Sequence, residues 1–166
     1  MEKLGNNKAK HSKVKSSVAK AHSNQKIKRF SGLLTKAPSS SPKVYYAEIR
    51  YARGYEYFNL HKWNNALRDF LEVARLTPRR RDAHCCAGVA YLILKKYRKA
   101  IVEFSKEITL RPGDWHAYNN RANAYNKIGR HDLALKDCES ALKRGAEERF
   151  VRYNRDLARK FGEIEE

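Results

Sequence analysis

From Val44 onward, apolar side chains recur every three or four positions, the spacing of one helical face, in blocks parted by short polar or Gly/Pro breaks. The pattern predicts helices over Tyr45–Leu60, Trp63–Leu76, Asp82–Leu94, Tyr97–Leu110, Asp114–Ile128 and Asp132–Lys143. A seventh is expected after Ala146, where Phe150, Tyr153, Leu157 and Phe161 stand at helical spacing among Arg149, Arg152, Arg155, Arg159 and Lys160. Asp114, after Pro112-Gly113, and Asp132, after Gly129, have the side chain and position of N-caps. Pro78 and Pro112 lack an amide donor and stiffen the links that follow the second and fourth helices.

The blocks are copies of one another. Tyr57, Tyr91 and Tyr125 are spaced 34 residues apart, and so are Leu60, Leu94 and Ile128; Ala66, Ala100 and Ala134; and Leu67, Ile101 and Leu135. Gly54, Gly88 and Ala122 keep the step, as do Phe70, Phe104 and Cys138. Small residues on facing helices let two backbones approach closely, and Phe70 and Phe104 fill the space beside them. No hairpin of this kind buries both its faces alone, so copies must stack. In this period and pattern the chain resembles the tetratricopeptide repeat family. The resemblance implies an all-α fold: a right-handed superhelical array of three helix-turn-helix hairpins plus a C-terminal capping helix. The array occupies residues 44–146, with repeats at about 47–80, 81–114 and 115–146, and the capping helix with an acidic end occupies 147–166. The third copy ends in Arg144-Gly145-Ala146 rather than Leu-x-Pro, which stops the array.

Charge divides the chain in two. Lys and Arg number 36 against 18 acids, and residues 1–43 hold 11 of these bases with the single acid Glu2. With few large apolar residues and the run Ala37-Pro38-Ser39-Ser40-Ser41-Pro42, this segment reads as a disordered basic tail. Counterion release makes such a tail suited to RNA, a ribonucleoprotein or an acidic protein surface such as a cytoskeletal polymer. Lys8, Lys10, Lys13, Lys15, Lys20, Lys26, Lys28 and Arg29 are the candidate contacts, with Arg79, Arg80 and Arg81 of the link after Pro78. A solubilising tail without a ligand, or an acid-poor mitochondrial presequence, are the other readings of the same composition.

Catalytic chemistry finds no constellation in the sequence, and no cofactor is expected. Cys85, Cys86 and Cys138 lack Cys-x-x-Cys spacing and read as small buried side chains of an intracellular protein, cytoplasmic or nuclear. No metal site is expected either, since consecutive residues such as His84-Cys85-Cys86 point about 100° apart on a helix. No apolar run is long enough to span a membrane.

The resemblance further implies a concave groove lined by the first helix of each hairpin, with another protein as its occupant. It assigns Tyr51, Tyr55 and Asn59 to that face from the first repeat, Cys86 and Val89 from the second, and His116, Asn119, Asn120, Asn123 and Lys127 from the third. Asn is a poor helix former, so its recurrence at Asn119, Asn120, Asn123 and Asn126 suggests that its amides are used. Chaperone-binding members carry a carboxylate clamp of Lys, Asn and Arg. Here Tyr51, Tyr55, His116 and Asn120 stand at those places, so the clamp is incomplete and the two tyrosines offer an aromatic shelf instead. The chain is accordingly expected to be a non-enzymatic adaptor that holds a partner segment while its tail contacts an acidic surface. A nucleic-acid-binding protein with the repeats as scaffold, and a chaperone cofactor, are the alternatives.

Overall fold

A computed structural model describes residues 2–80 and 82–162, with side chains from Ser16 onward. Lys8, Lys10, Lys13 and Lys15 therefore fall outside the described side chains, and Arg81 and the acidic end fall outside the described residues. The described chain is helical throughout: α1 (Glu2–Lys36), α2 (Lys43–Asn59), α3 (Trp63–Leu76), α4 (Ala83–Ile93), α5 (Tyr97–Leu110), α6 (Trp115–Lys127), α7 (His131–Lys143) and α8 (Glu148–Gly162). They group into two compact units, Met1–Leu76 and Thr77–Glu166. In the first, α2 packs on α3 and on α1; in the second, α4, α5, α6, α7 and α8 pack in sequence, and α8 also meets α6. No described helix is long and apolar enough to cross a membrane.

Each hairpin turn is built the same way. His61, Lys95 and Gly129 adopt φ of +57°, +57° and +76°. The amide of the following residue reaches back to a tyrosine carbonyl, Lys62 to Tyr57 at 2.9 Å, Lys96 to Tyr91 at 2.9 Å and Arg130 to Tyr125 at 3.0 Å. This is the left-handed helix stop that usually carries glycine, and a side chain there costs roughly 1 kcal/mol or more. Gly129 escapes that cost.

The second constraint is space. A Cβ placed on Gly54 would lie 2.8 Å from Phe70 Cε1, and one on Gly88 would lie 2.5 Å from Phe104 Cε1. Phe70 and Phe104 are buried on the second helix of their hairpins, and each needs the missing methyl. In the third hairpin both partners change together, to Ala122 and Cys138, and both are fully buried.

Three expectations from the sequence need correction. The tail is not disordered over residues 2–36 but forms α1 and packs on α2. Ser23, Ile27, Phe30, Ser31 and Leu34 lie half-buried at helical spacing, a stripe diluted by the lysines and serines around it. Lys26 also pairs with Glu56 at 2.9 Å, and Tyr46 Oη donates to the Pro38 carbonyl at 2.6 Å. Second, Asp132 is not an N-cap: α7 begins at His131 with Arg130 as its cap, and Asp132 sits in the first turn, whereas Asp114 does accept from the His116 amide. Third, α8 does not bury its large aromatics. Its buried positions are Val151, Asn154 and Ala158, while Tyr153 is 67% exposed and Phe150 and Phe161 lie at the margins. Small side chains on the inner stripe allow α8 to sit close to α6 and α7, as in the hairpins.

Gly88→Ala is expected to cost about 1–3 kcal/mol in urea denaturation, as overpacking of a filled contact does. Adding Phe104→Leu should return part of that loss, so that the double variant is more stable than the two single losses would sum to. A Gly88→Ala variant as stable as the parent would show that the two helices are not held at this distance.

Candidate functional site

The rotation of the first helices, and so the residues they turn away from the core, is set by a buried acid on each second helix. Asp69 is fully buried and receives Arg53 in two parallel bonds, Nε to Oδ2 at 2.7 Å and Nη2 to Oδ1 at 2.7 Å. Asp137 receives Arg121 in the same fork, both bonds at 2.8 Å. The third nitrogen of each arginine finds a serine of the preceding element: Arg53 Nη1 donates to Ser31 of α1 at 3.0 Å, and Arg121 Nη1 to Ser105 of α5 at 2.9 Å. In the middle hairpin Ala87 stands where the arginine would be, and Glu103 instead meets His84 Nδ1 at 2.7 Å and Lys106 Nζ at 2.8 Å. Burial pushes the Glu103 carboxyl up, but the bonds from His84 and Lys106 outweigh it and hold the group below the usual carboxylate range. His84 is buried between α4 and α5.

Within the first unit, Tyr51 and Tyr55 meet edge to face on α2, centroids 4.9 Å apart, with their hydroxyls 3.2 Å apart and both rings against Phe70. Asn59 lies apart from them in function: it lines a pocket of about 420 Å³ with Ser16, Ala19, Lys20, Ser23, Leu60 and His61, facing α1.

Within the second unit, α4 and α6 bring Cys85 to Asn120, whose Nδ2 lies 3.8 Å from the sulfur, and Cys86 and Val89 are half-buried on α4. The asparagines divide into two groups. Asn119 and Asn126 hold α8: Asn119 Nδ2 donates to the Phe150 carbonyl at 3.1 Å, its Oδ1 accepts from Asn154 Nδ2 at 2.9 Å, and Asn126 Nδ2 donates to the Asn154 carbonyl at 2.8 Å. Asn120 and Asn123 make none of these bonds and are half-buried, one turn apart. His116 is stacked on Trp115 with centroids 3.6 Å apart, and Trp115 in turn meets Phe150, so this corner is an aromatic ledge at the starts of α6 and α8. Lys127 is exposed at the far end of α6.

Of the candidate polyanion contacts, Lys20, Lys28 and Arg29 are exposed on α1, while Lys26 is engaged with Glu56. Arg79 is exposed and Arg80 half-buried; the carbonyls of both accept from Arg111, at 3.5 and 3.3 Å. The thiols are unreactive by position. Burial pushes both Cys85 and Cys138 up to about 12, so neither is a thiolate at neutral pH. The Arg–acid forks escaped the sequence reading, although Arg53 and Arg121, and Asp69 and Asp137, sit two repeat steps apart and signal the pairing.

Helices paired in sequence as hairpins, with α8 packed on α6 and α7, define a helical-repeat protein. Models described as tetratricopeptide repeat match residues 51–114 and 116–144, together more than half of the protein, and the chain belongs to the tetratricopeptide repeat family. Among curated relatives, the Hsp70-Hsp90 organizing protein of Triticum aestivum is 36% identical over 76 residues, 45% of this chain but only 13% of that protein. Among solved structures, the TPR2B domain of yeast Sti1, determined as a pHsp70 complex, aligns with a TM-score of 0.66 at 23% identity over 69% of this chain and 97% of that one. The first TPR domain of Spaghetti (RPAP3), bound to the HSP90 peptide SRMEEVD, aligns at 0.65 with 20% identity over 70% and 93%.

The lowered Glu103 carboxyl makes a pH prediction. Such a group contributes stability that is complete above its unfolded value of about 4.3 and is lost as pH falls through the lower folded value. Thermal melts of Glu103→Gln should therefore lie below the parent near neutral pH and converge on it between about pH 5 and pH 3. A gap that stays constant down to acid pH would mean the carboxylate form is not what the hairpin uses.

Proposed function

We propose that this protein is an adaptor of the chaperone-cofactor class, holding the C-terminal segment of an Hsp70 or Hsp90 chaperone along the inner faces of α4 and α6. The observation that carries the reading is the likeness to the Hsp70-Hsp90 organizing protein across nearly half of the chain. The mode of holding differs from a carboxylate clamp, because Tyr51, Tyr55, His116 and Asn120 occupy the clamp's places. Asn120 and Asn123 can each donate to and accept from a peptide backbone, and Cys86 and Val89 supply apolar contact. Free thiols at Cys85, Cys86 and Cys138 suit a reducing compartment inside the cell.

A second role is favoured by the charge of α1, where Lys20, Lys28 and Arg29 are exposed and ten of the first 43 residues' eleven bases are gathered on one helix. α1 then contacts a polyanion such as RNA or an acidic protein surface, independently of the inner face.

Calorimetry with the peptide SRMEEVD tests the first reading. Binding is expected, with the free acid and the C-terminal amide within about threefold of each other, and Asn120→Ala with Asn123→Ala should weaken it roughly 30-fold, two hydrogen bonds at about 1 kcal/mol each. No binding to either peptide would end the chaperone reading, and loss on amidation would mean a clamp built from other residues.

For the second role, single-stranded RNA binding by the full chain should fall roughly 10²-fold when salt is raised fourfold, if about five phosphates are neutralised. An affinity indifferent to salt would remove α1 as the contact.

A further inference from the structure

Asp82, Glu107 and Asp114 come together although they are far apart in sequence: one oxygen of each lies within 4.8 Å of the others. Asp82 caps the start of α4 with φ +67°, Glu107 is in the last turn of α5, and Asp114 caps the start of α6. Carboxylates this close repel one another, and water cannot dilute the repulsion at Glu107, which is fully buried. Arg111 takes up Glu107 Oε1 through Nε at 2.7 Å and through Nη2. Among the described residues, Glu107 Oε2 has no hydrogen-bond partner, and it is sealed from solvent. A bound ion is one of the groups that satisfies a buried oxygen of this kind. Asp114 Oδ1 accepts from the His116 amide at 3.1 Å and lies 3.1 Å from the His116 ring Nδ1.

We propose that these three carboxylates form a divalent-cation site and that calcium is the ion it fits. The sequence led to the expectation of no metal, because only neighbouring His and Cys residues were near enough in the chain to be read as a set. The donors are hard oxygens. Coordination then separates the ions. Magnesium demands near-octahedral geometry, keeps several waters and usually takes one or two carboxylates, whereas calcium accepts a larger, irregular set of carboxylate oxygens. Three carboxylates from three helix ends, with oxygens within 4.8 Å of one another, are a set of the second kind. Asp82 and Asp114 are partly exposed, which gives an ion its way in to Glu107. Binding would tie the start of α4, the end of α5 and the start of α6 at one point, and so hold the spacing of the two helices that carry Cys86, Val89, Asn120 and Asn123. This inference does not rest on the chaperone reading.

The test uses the full chain and two probes: thermal melting in calcium, magnesium or chelator, and terbium luminescence excited through Trp115, the neighbour of Asp114. Calcium should raise Tm more than magnesium at equal concentration. Glu107→Gln, Asp82→Asn and Asp114→Asn should each weaken terbium binding at least ~10-fold, as expected when a ligating charge is removed. Glu139→Gln, an exposed acid of α7, should leave it unchanged. Circular dichroism identifies any variant that fails to fold, and Asp82→Asn, at a partly exposed position, carries the test if Glu107→Gln does. No calcium-dependent rise in Tm of the helical parent, a preference for magnesium, or terbium binding equal in the three variants and the parent would each overturn the site.

Discussion

A charge buried in each hairpin governs the rest. Asp69, Glu103 and Asp137 occupy one register of the second helices, and an unpaired charge in that position would cost several kcal/mol. In each hairpin the first helix supplies a partner, which fixes how that helix is rotated and therefore which of its residues face outward. Two hairpins solve the problem with an arginine fork and the middle one with His84 and Lys106. Each arginine then spends a further donor on a serine of the element before it, which makes α1 a stand-in for the second helix of a preceding hairpin. The basic segment is thus part of the fold from about Ser23 onward.

Asparagine on α6 divides in a way that a sequence cannot show, since Asn119 and Asn126 fasten α8 while Asn120 and Asn123 do not. The helix that closes the array meets α6 through polar bonds and small side chains, and leaves Phe150 and Tyr153 outward.

The hairpins are legible in the sequence because close packing acts locally: Gly54 and Phe70, or Gly88 and Phe104, are constrained within a single copy and repeat with it. Tyr51 and Tyr55 are legible as a pair for the same reason, being one turn apart on one helix. What escapes is whatever depends on more than one element. Average composition hides the stripe Ile27, Phe30 and Leu34, because eleven bases and many serines dominate the first 43 residues. The face of α8 is misjudged because side-chain size is taken for burial, when the close approach to α6 favours Val151 and Ala158. The gathering of Asp82, Glu107 and Asp114 arises from three helix ends and has no local pattern at all.

The paired change from Gly–Phe in the first two hairpins to Ala–Cys in the third has a historical meaning. If the copies arose from one ancestor, the two positions could not drift independently, because each intermediate is either overfilled or hollow. Growing the glycine first costs about 1–3 kcal/mol, whereas shrinking the phenylalanine first leaves a cavity worth about 3–5 kcal/mol. Against a total stability of roughly 5–15 kcal/mol, the first route is passable and the second nearly closes the path. The direction of divergence between copies is therefore written in the contact itself: the small residue moves before the large one.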